Sequence, residues 1–368
     1  MEFGEIPTER QGRSPSRFLR RRGRAERLES AMRPIWFIDL PLFFLQCALR
    51  RPGPPLLASV KLSYRCNLHC RACPFHLRAG TEGDSMSWEQ AVRALSIISR
   101  MGTRIVAFEG GEPFLWRDGD RTLRDLVLHA RRLFLRVAVT TNGTFPLDCP
   151  SDVLWVSVDG TKAVHDRLRS GSFDRVMAHL LASRHPRLRV HITLNRENWR
   201  DLEYLLVQLR AIPSVGGVTL QFFYPYHRGE EPLALDPAER REAVALALGL
   251  RRRYGILNSP ESLRAMTDNH WVCRDDVLVN VDPNGAITRG CYVRSRGEVR
   301  CPDGGFTPVA EASRALSLRP GSVRGMAMLF RLKKGAREAA AEMPRRSPHE
   351  GPAQPFSTDG RFFVPVLL

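Results

Sequence analysis

Cys66, Cys70 and Cys73 fall within eight positions of the stretch SYRCNLHCRACPF (63–75). An odd number of thiols cannot all pair as disulfides. A structural zinc site takes four ligands, usually with a second pair further along the chain, and none is spaced for it here. An iron–sulfur cluster takes one thiolate per iron. Three thiolates on a four-iron cluster leave one iron open, and an open iron can bind a reactant. That chemistry asks for a pocket beside the triplet.

Three further groups follow strand-like runs. EGGEP contains Gly110, Gly111, Glu112 and Pro113, and paired glycines let a ligand lie against backbone that has N–H and C=O groups to offer. TTNG supplies Thr140, Thr141 and Asn142. VSVDG supplies Ser157 and Asp159, followed by His165, Asp166 and Arg169. His165 reads as a satisfied surface histidine without a catalytic part.

CNLHCRAC, GGEP, TTNG and SVDG…HD..R, in this order over about residues 55–225, resemble the motifs of the radical S-adenosylmethionine (SAM) enzymes. A lone CxxxCxxC would carry little; four motifs on successive strands carry the resemblance. It implies a [4Fe–4S] cluster held by Cys66, Cys70 and Cys73, with SAM chelating the fourth iron through its amino nitrogen and carboxylate. It also implies that the loop Gly110, Gly111, Glu112 and Pro113 binds the cofactor, its backbone pairing with the amino group of SAM. Thr140, Asn142 and Ser157 would lie near the ribose and carboxylate, with Arg169 a carboxylate partner. The implied partner protein is an electron donor of the flavodoxin or ferredoxin type. One position departs from the pattern: the aromatic residue often found before the third cysteine is Ala72 here, which leaves Phe75 as the adenine neighbour.

Further along, Cys273, Gly285 in a hairpin turn and Cys291 resemble the opening of the auxiliary-cluster region (SPASM, or its shorter Twitch form) of many relatives. Cys301 follows, but Gly304 stands where a CxxC partner would sit. Either Cys273, Cys291 and Cys301 hold a second cluster with one iron open, or the site has been lost. Cys47 and Cys149 read as inert thiols.

The elements that position these groups are legible as an alternation. Strand-like runs LASVKLSY, RIVAFE, LRVAVTT, VLWVSVD, LRVHITLN and GVTLQFFY are separated by helix-like stretches near 88–101, 120–132, 173–184 and 199–211. Ser87 and Gln90 have capping-box spacing before the first of these helices. Six strands alternating with helices predict an α/β fold, a partial (β/α)6 TIM-type barrel with reactive residues at the carboxyl ends of its strands. A strong helix at about 237–253 leads into a smaller C-terminal α+β module, which includes a hairpin turning at DPNG (282–285). The expected units are a basic and apolar extension at 1–52, the core at 53–232, the module at 233–320 and a partly disordered tail at 321–368.

Composition narrows the partners. Hydrophobic residues make up 43% of the 368, so a sizeable core is expected. The formal charge of +17 comes from 56 basic residues, of which only Lys61, Lys162, Lys333 and Lys334 are lysine. The remainder is arginine spread over helix faces, a distribution that weighs against nucleic acid as the ligand. Eight cysteines are too sparse for a disulfide scaffold.

Residues 1–34 read as largely disordered. The apolar stretch 35–49 falls short of the roughly 20 residues of a membrane span and contains Asp39 and Pro41. An arginine-rich run precedes it, but no small-residue cleavage site follows. The chain is expected in the cytoplasm, with residues 10–49 either a peripheral contact on the inner face of the membrane or a helix packed on the barrel. The substrate is open between a peptide or protein and a lipid, although no peptide-clasping domain is recognisable at the N-terminus. A non-catalytic iron–sulfur sensor is the alternative, and a sensor has no need of a SAM pocket.

Overall fold

Strands covered by helices must be apolar on the covered face, and six runs of this chain meet that condition. The computed structural model describes residues 36–330 apart from 74, 76, 77, 82, 228, 296 and 297. Its strands are β1 (Leu57–Ser63), β2 (Ile105–Gly110), the short pair β3 (Arg117–Asp118) and β4 (Arg121–Thr122), β5 (Arg136–Thr141), β6 (Val153–Ser157), β7 (Leu188–Leu194), β8 (Val215–Phe222), β9 (Leu278–Val281) and β10 (Ile287–Arg289). Eight of them form one sheet in the order β10-β9-β1-β2-β5-β6-β7-β8. Neighbours from β9 to β8 run parallel, and β10 is antiparallel to β9. The sheet is the expected partial barrel; β8 and β10 are its edges, and no ladder closes it among the described residues.

Register sets Val60 beside Phe108, Val139 beside Leu154 and Ile192 beside Leu220, all buried on the outer face. Helices α2 (Trp88–Arg100), α3 (Leu123–Ala130), α4 (Lys162–Leu168), α5 (Phe173–Ala182), α6 (Leu202–Arg210) and α7 (Pro237–Tyr254) supply the crossovers and much of the cover. The capping box before α2 is present, with Gln90 N donating to Ser87 Oγ at 3.2 Å and Ser87 N to Gln90 Oε1 at 2.8 Å. Residues between the apolar ones face the lumen, and there Ser59, Lys61, Glu109, Thr140, Ser157, His191 and Thr219 replace the valines and leucines.

The DPNG hairpin forms as expected, with Gly285 N donating to Asp282 O at 2.8 Å. Its placement was not legible: β9 pairs with the free edge of β1, where Lys61 Nζ donates to Asn280 Oδ1 at 2.9 Å. The module thus extends the barrel sheet. In sequence, α8 (Pro260–Ala265) precedes the hairpin, and α9 (Thr307–Leu316) and α10 (Pro320–Phe330) follow it. The boundary expected at 321 therefore falls inside a helix, because Met326 of α10 packs with Phe43, Ala312 and Ala315. The rest of the expected tail, 331–368, and the extension before residue 36 lie outside the described residues.

Helix α1 (Trp36–Leu49) closes the bottom of the barrel, at the amino ends of the strands. Phe43 and Cys47 are buried against Leu56 and Val277, with Ile105 and Leu135 packed alongside. Asp39 pairs with Arg104 at 2.9 Å. Among the described residues no helix is long and apolar enough to cross a membrane.

Candidate active site

Residues that follow β1, β2, β5 and β6 meet at the top of the barrel. The cysteine loop leaves β1 and is tied down from three sides. Glu112 N donates to Arg65 O at 2.9 Å, which joins the loop to the end of β2. Asn142 Nδ2 donates to Asn67 Oδ1 at 2.9 Å and lies 3.7 Å from Cys66 Sγ, while Asn67 Nδ2 donates to Thr144 Oγ1 at 2.8 Å. Arg71 N donates to Leu168 O at 3.1 Å and His69 N to Ser170 Oγ at 3.0 Å, joining it to the end of α4. The four groups singled out in the sequence are thus one hydrogen-bonded unit.

The paired glycines serve this unit first. A Cβ on Gly110 would lie 2.5 Å from Ser63 O, and one on Gly111 would lie 2.0 Å from Arg65 O. The backbone of the GGEP loop is pressed against the backbone entering the cysteine loop, and Gly110 has φ +124°, a region open to glycine. Gly111 N donates to Ser63 O at 2.8 Å, so the amides of both Gly111 and Glu112 are engaged. What the loop can offer an ammonium group is carbonyl oxygen, which is the acceptor such a group needs. Pro113 is buried and starts the short 3-10 turn that follows.

The Glu112 side chain turns inward, almost fully buried. It accepts from Thr141 Oγ1 at 2.8 Å, Asn142 N at 2.7 Å and Phe114 N at 3.1 Å. Burial pushes its carboxyl up to about 7 against those three donors. Glu112 and Thr141 are residues whose roles the sequence hid, since the resemblance points to Glu112 backbone and to Thr140. Alternation explains the second: Thr141 faces Glu112, while Thr140 is half-buried on the lumen face beside Trp155. Ser157 is buried at the end of β6, next to His191 of β7.

Arg169 Nε donates to Asp159 Oδ2 at 2.5 Å, and Asp159 Oδ1 accepts from Thr193 N at 2.7 Å. Asp159 thereby fixes the guanidinium beside the thiols. Burial pushes the Cys70 thiol up to about 12, opposed by Arg169 and reinforced by Cys73 and Cys66. Burial also raises Cys66, with the Asn142 amide among the groups opposing it. Three thiols within electrostatic reach of one another, a fixed cation and an N–H aimed at sulfur suit an anionic thiolate-bound cluster. Among the described residues no three His, Cys, Asp or Glu side chains converge as a single metal ion would require.

The surface placement expected of His165 needs correction. His165 is satisfied but wholly buried, with Asp159 N donating to its Nδ1 at 3.2 Å and Ser172 Oγ 3.0 Å from its Nε2. Burial lowers its pKa to about 4, so it is held neutral inside the α4–α5 corner. Phe75 is stacked on Tyr64, centroids 5.7 Å apart, and Ala72 packs near Leu168, Phe223 and Leu233. Cys149 is buried with its thiol raised to about 11. Cys273, Cys291 and Cys301 interact electrostatically, and desolvation pushes Cys273 up to about 12, with Asp275 and the other two thiols adding to it.

Lumen residues other than Thr140 and Ser157 were missed. Lys61 is fully buried, held by Asn280 and by Asp282 at 3.8 Å. Glu109 accepts from Ser59 Oγ, and His191 Nδ1 lies 3.0 Å from Thr219 Oγ1. The available signal was a charged or polar residue at alternate positions of otherwise apolar parallel strands.

Residues 60–209 match the family model of the Radical SAM superfamily. Fe-coproporphyrin III synthase from Methanosarcina barkeri (strain Fusaro / DSM 804) is 26% identical over 229 residues, 57% of this chain and 54% of that relative. PqqA peptide cyclase from Rhodopseudomonas palustris (strain ATCC BAA-98 / CGA009) is 34% identical over 90 residues, 24% of this chain and 23% of that relative. The chain thus spans about half or less of the length of these curated relatives. Among solved structures, Streptococcus suis SuiB bound to S-adenosylmethionine superposes with a TM-score of 0.51 at 16% identity, over 76% of this chain and 69% of that one. Native anSMEcpe with bound AdoMet gives 0.51 at 17% identity, over 77% and 87%. At such identity the likeness is one of fold.

Proposed function

This chain belongs to the radical SAM superfamily, and we propose that it cleaves SAM reductively at a cluster held by Cys66, Cys70 and Cys73 and modifies a peptide in its lumen. The observation that carries the reading is the single hydrogen-bonded unit formed by the cysteine loop, the GGEP loop, Asn142 and the end of α4. When bound, the cluster and SAM would supply the radical chemistry for hydrogen-atom abstraction from the substrate. The chain's own residues hold and orient. Carbonyls of the GGEP loop would hold the amino group of SAM, and Arg169, fixed by Asp159, would hold its carboxylate. Thr140, Asn142 and Ser157 would complete the wall beside the ribose. Cys273, Cys291 and Cys301 are proposed to hold a second cluster.

The lumen supports a polar substrate. Polar and charged side chains on its wall, Ser59, Lys61, Glu109, His191 and Thr219, favour amides over a hydrocarbon chain. The indole Nε1 of Trp155 is buried without a hydrogen-bond partner among the described residues, a donor suited to a peptide carbonyl. The similarity to a peptide cyclase agrees with this. A second reading, an iron porphyrin, is favoured by the longer alignment with Fe-coproporphyrin III synthase.

Anaerobic purification, iron and sulfide analysis, and 5′-deoxyadenosine release after dithionite test the core claim. The expected result is an iron–sulfur protein that consumes SAM. Zinc in place of iron, or a cluster whose EPR spectrum ignores SAM, overturns it. A shift of the iron coproporphyrin III absorption on mixing would favour the porphyrin over the peptide.

A further inference from the structure

We propose that the outward face of α1 docks this protein on an anionic lipid surface, independently of the chemistry at the top of the barrel. The inner face of the helix is committed, with Phe43 and Cys47 buried and Asp39 paired to Arg104. The outer face exposes Leu42, Leu45 and Leu49 at 41%, 53% and 76%. Their spacing of three and four places them on one stripe of a helix that is itself clamped to the barrel. Leu318, in the turn between α9 and α10, is 72% exposed, and α10 packs on the cluster that holds α1.

Charge selects the occupant. Arg50 and Arg51, directly after the helix, and Arg319, next to Leu318, are all exposed. Ahead of the helix the sequence places eight arginines against one glutamate between residues 10 and 27. A second copy of the chain would set arginine against arginine, and a nucleic acid has no use for the leucines. An anionic bilayer surface satisfies both at once, taking leucines into its apolar boundary and arginines at its headgroups. The stripe lies at the amino ends of the strands, opposite the cysteine loop, so docking leaves the mouth of the site pointing away from the lipid. This face anchors the protein and does not feed a lipid substrate to it.

Flotation of the full-length chain with phosphatidylcholine vesicles, and with vesicles that also contain phosphatidylglycerol, tests the proposal. Capture by the anionic vesicles alone, weakened at high salt, is expected. The triple change Leu42→Gln, Leu45→Gln, Leu49→Gln should lower the bound fraction roughly tenfold at unchanged melting temperature. Leu49→Gln alone, at the exposed helix end, should lower it less and cannot disturb the core. Vesicles that ignore the parent chain, or bind the triple variant as well as the parent, overturn the proposal. So does light scattering that shows a dimer dissolved by the same leucine changes, because the face would then be a contact between copies.

Discussion

Cys70 and Cys273 have thiols pushed by desolvation to the same value, about 12, yet their neighbours differ in sign. Around Cys70 the largest opposing influence is the Arg169 guanidinium, locked in place by Asp159. Around Cys273 the strongest charged neighbour is Asp275, a carboxylate that raises the thiol further. Arg294 reaches this second triplet but is engaged by Asp275 at 2.8 Å. The first triplet also has Asn142 aimed at sulfur and a loop tied down from three sides, whereas Cys273 and Cys301 sit on exposed residues. The first has a fixed cation and an amide N–H that partly offset the burial holding its thiols protonated. The second depends on the charge of the metal itself to offset its surroundings.

The largest effect should come from replacing Cys66, Cys70 and Cys73 together by alanine, which abolishes SAM cleavage and removes the SAM-responsive EPR signal. Residual 5′-deoxyadenosine would mean that the first triplet is not the cleaving site. Replacing Cys273, Cys291 and Cys301 by serine should lower iron by about half while SAM cleavage persists. Unchanged iron would make that triplet structural and the comparison one between a site and a remnant. Arg169→Lys keeps a charge but loses the planar fork, and SAM affinity measured by titration should fall roughly tenfold. Equal affinity in the variant would remove Arg169 from the carboxylate.

The smallest effect concerns Glu112. Its folded pKa of about 7 exceeds the ordinary 4.5, so between those values the folded state binds more protons than the unfolded chain. Stability from this group therefore falls as pH rises from about 4.5 to about 7. His165 and His185, both lowered to about 4 by burial, act with the opposite slope between about 4 and 6.5. The difference in melting between the parent and Glu112→Gln isolates the carboxyl. The variant should lose that slope, and should cost about 1–3 kcal/mol at low pH through its altered hydrogen bonds. A difference curve flat with pH would show that Glu112 ionises freely.

Period-two alternation made the six core strands legible, and capping chemistry located the start of α2. The cysteine loop and its GGEP partner were readable because the chemistry requires those residue types in that order. Side-chain direction was not. Thr140 and Thr141 are identical in composition, and only the pleat decides which one meets Glu112. The hairpin was visible at DPNG because turn chemistry is local, but its docking on β1 depends on a contact with Lys61 from a distant part of the chain. The exposed stripe of α1 was equally hidden, since a run apolar on all sides does not say which leucines its neighbours will cover.

Lys61 and Asn280 are separated by 219 residues, and the ladder between β1 and β9 spans a similar stretch. During synthesis the outer edge of β1 therefore waits through most of translation for its last partner. An uncovered strand edge is where one nascent chain pairs with another. Lys61 bears on that interval: until Asn280 and Asp282 leave the ribosome, its ammonium stays hydrated and makes the edge a poor template. A charge on that waiting edge should limit such pairing, and Lys61→Met is expected to shift the expressed protein from the soluble fraction to inclusion bodies.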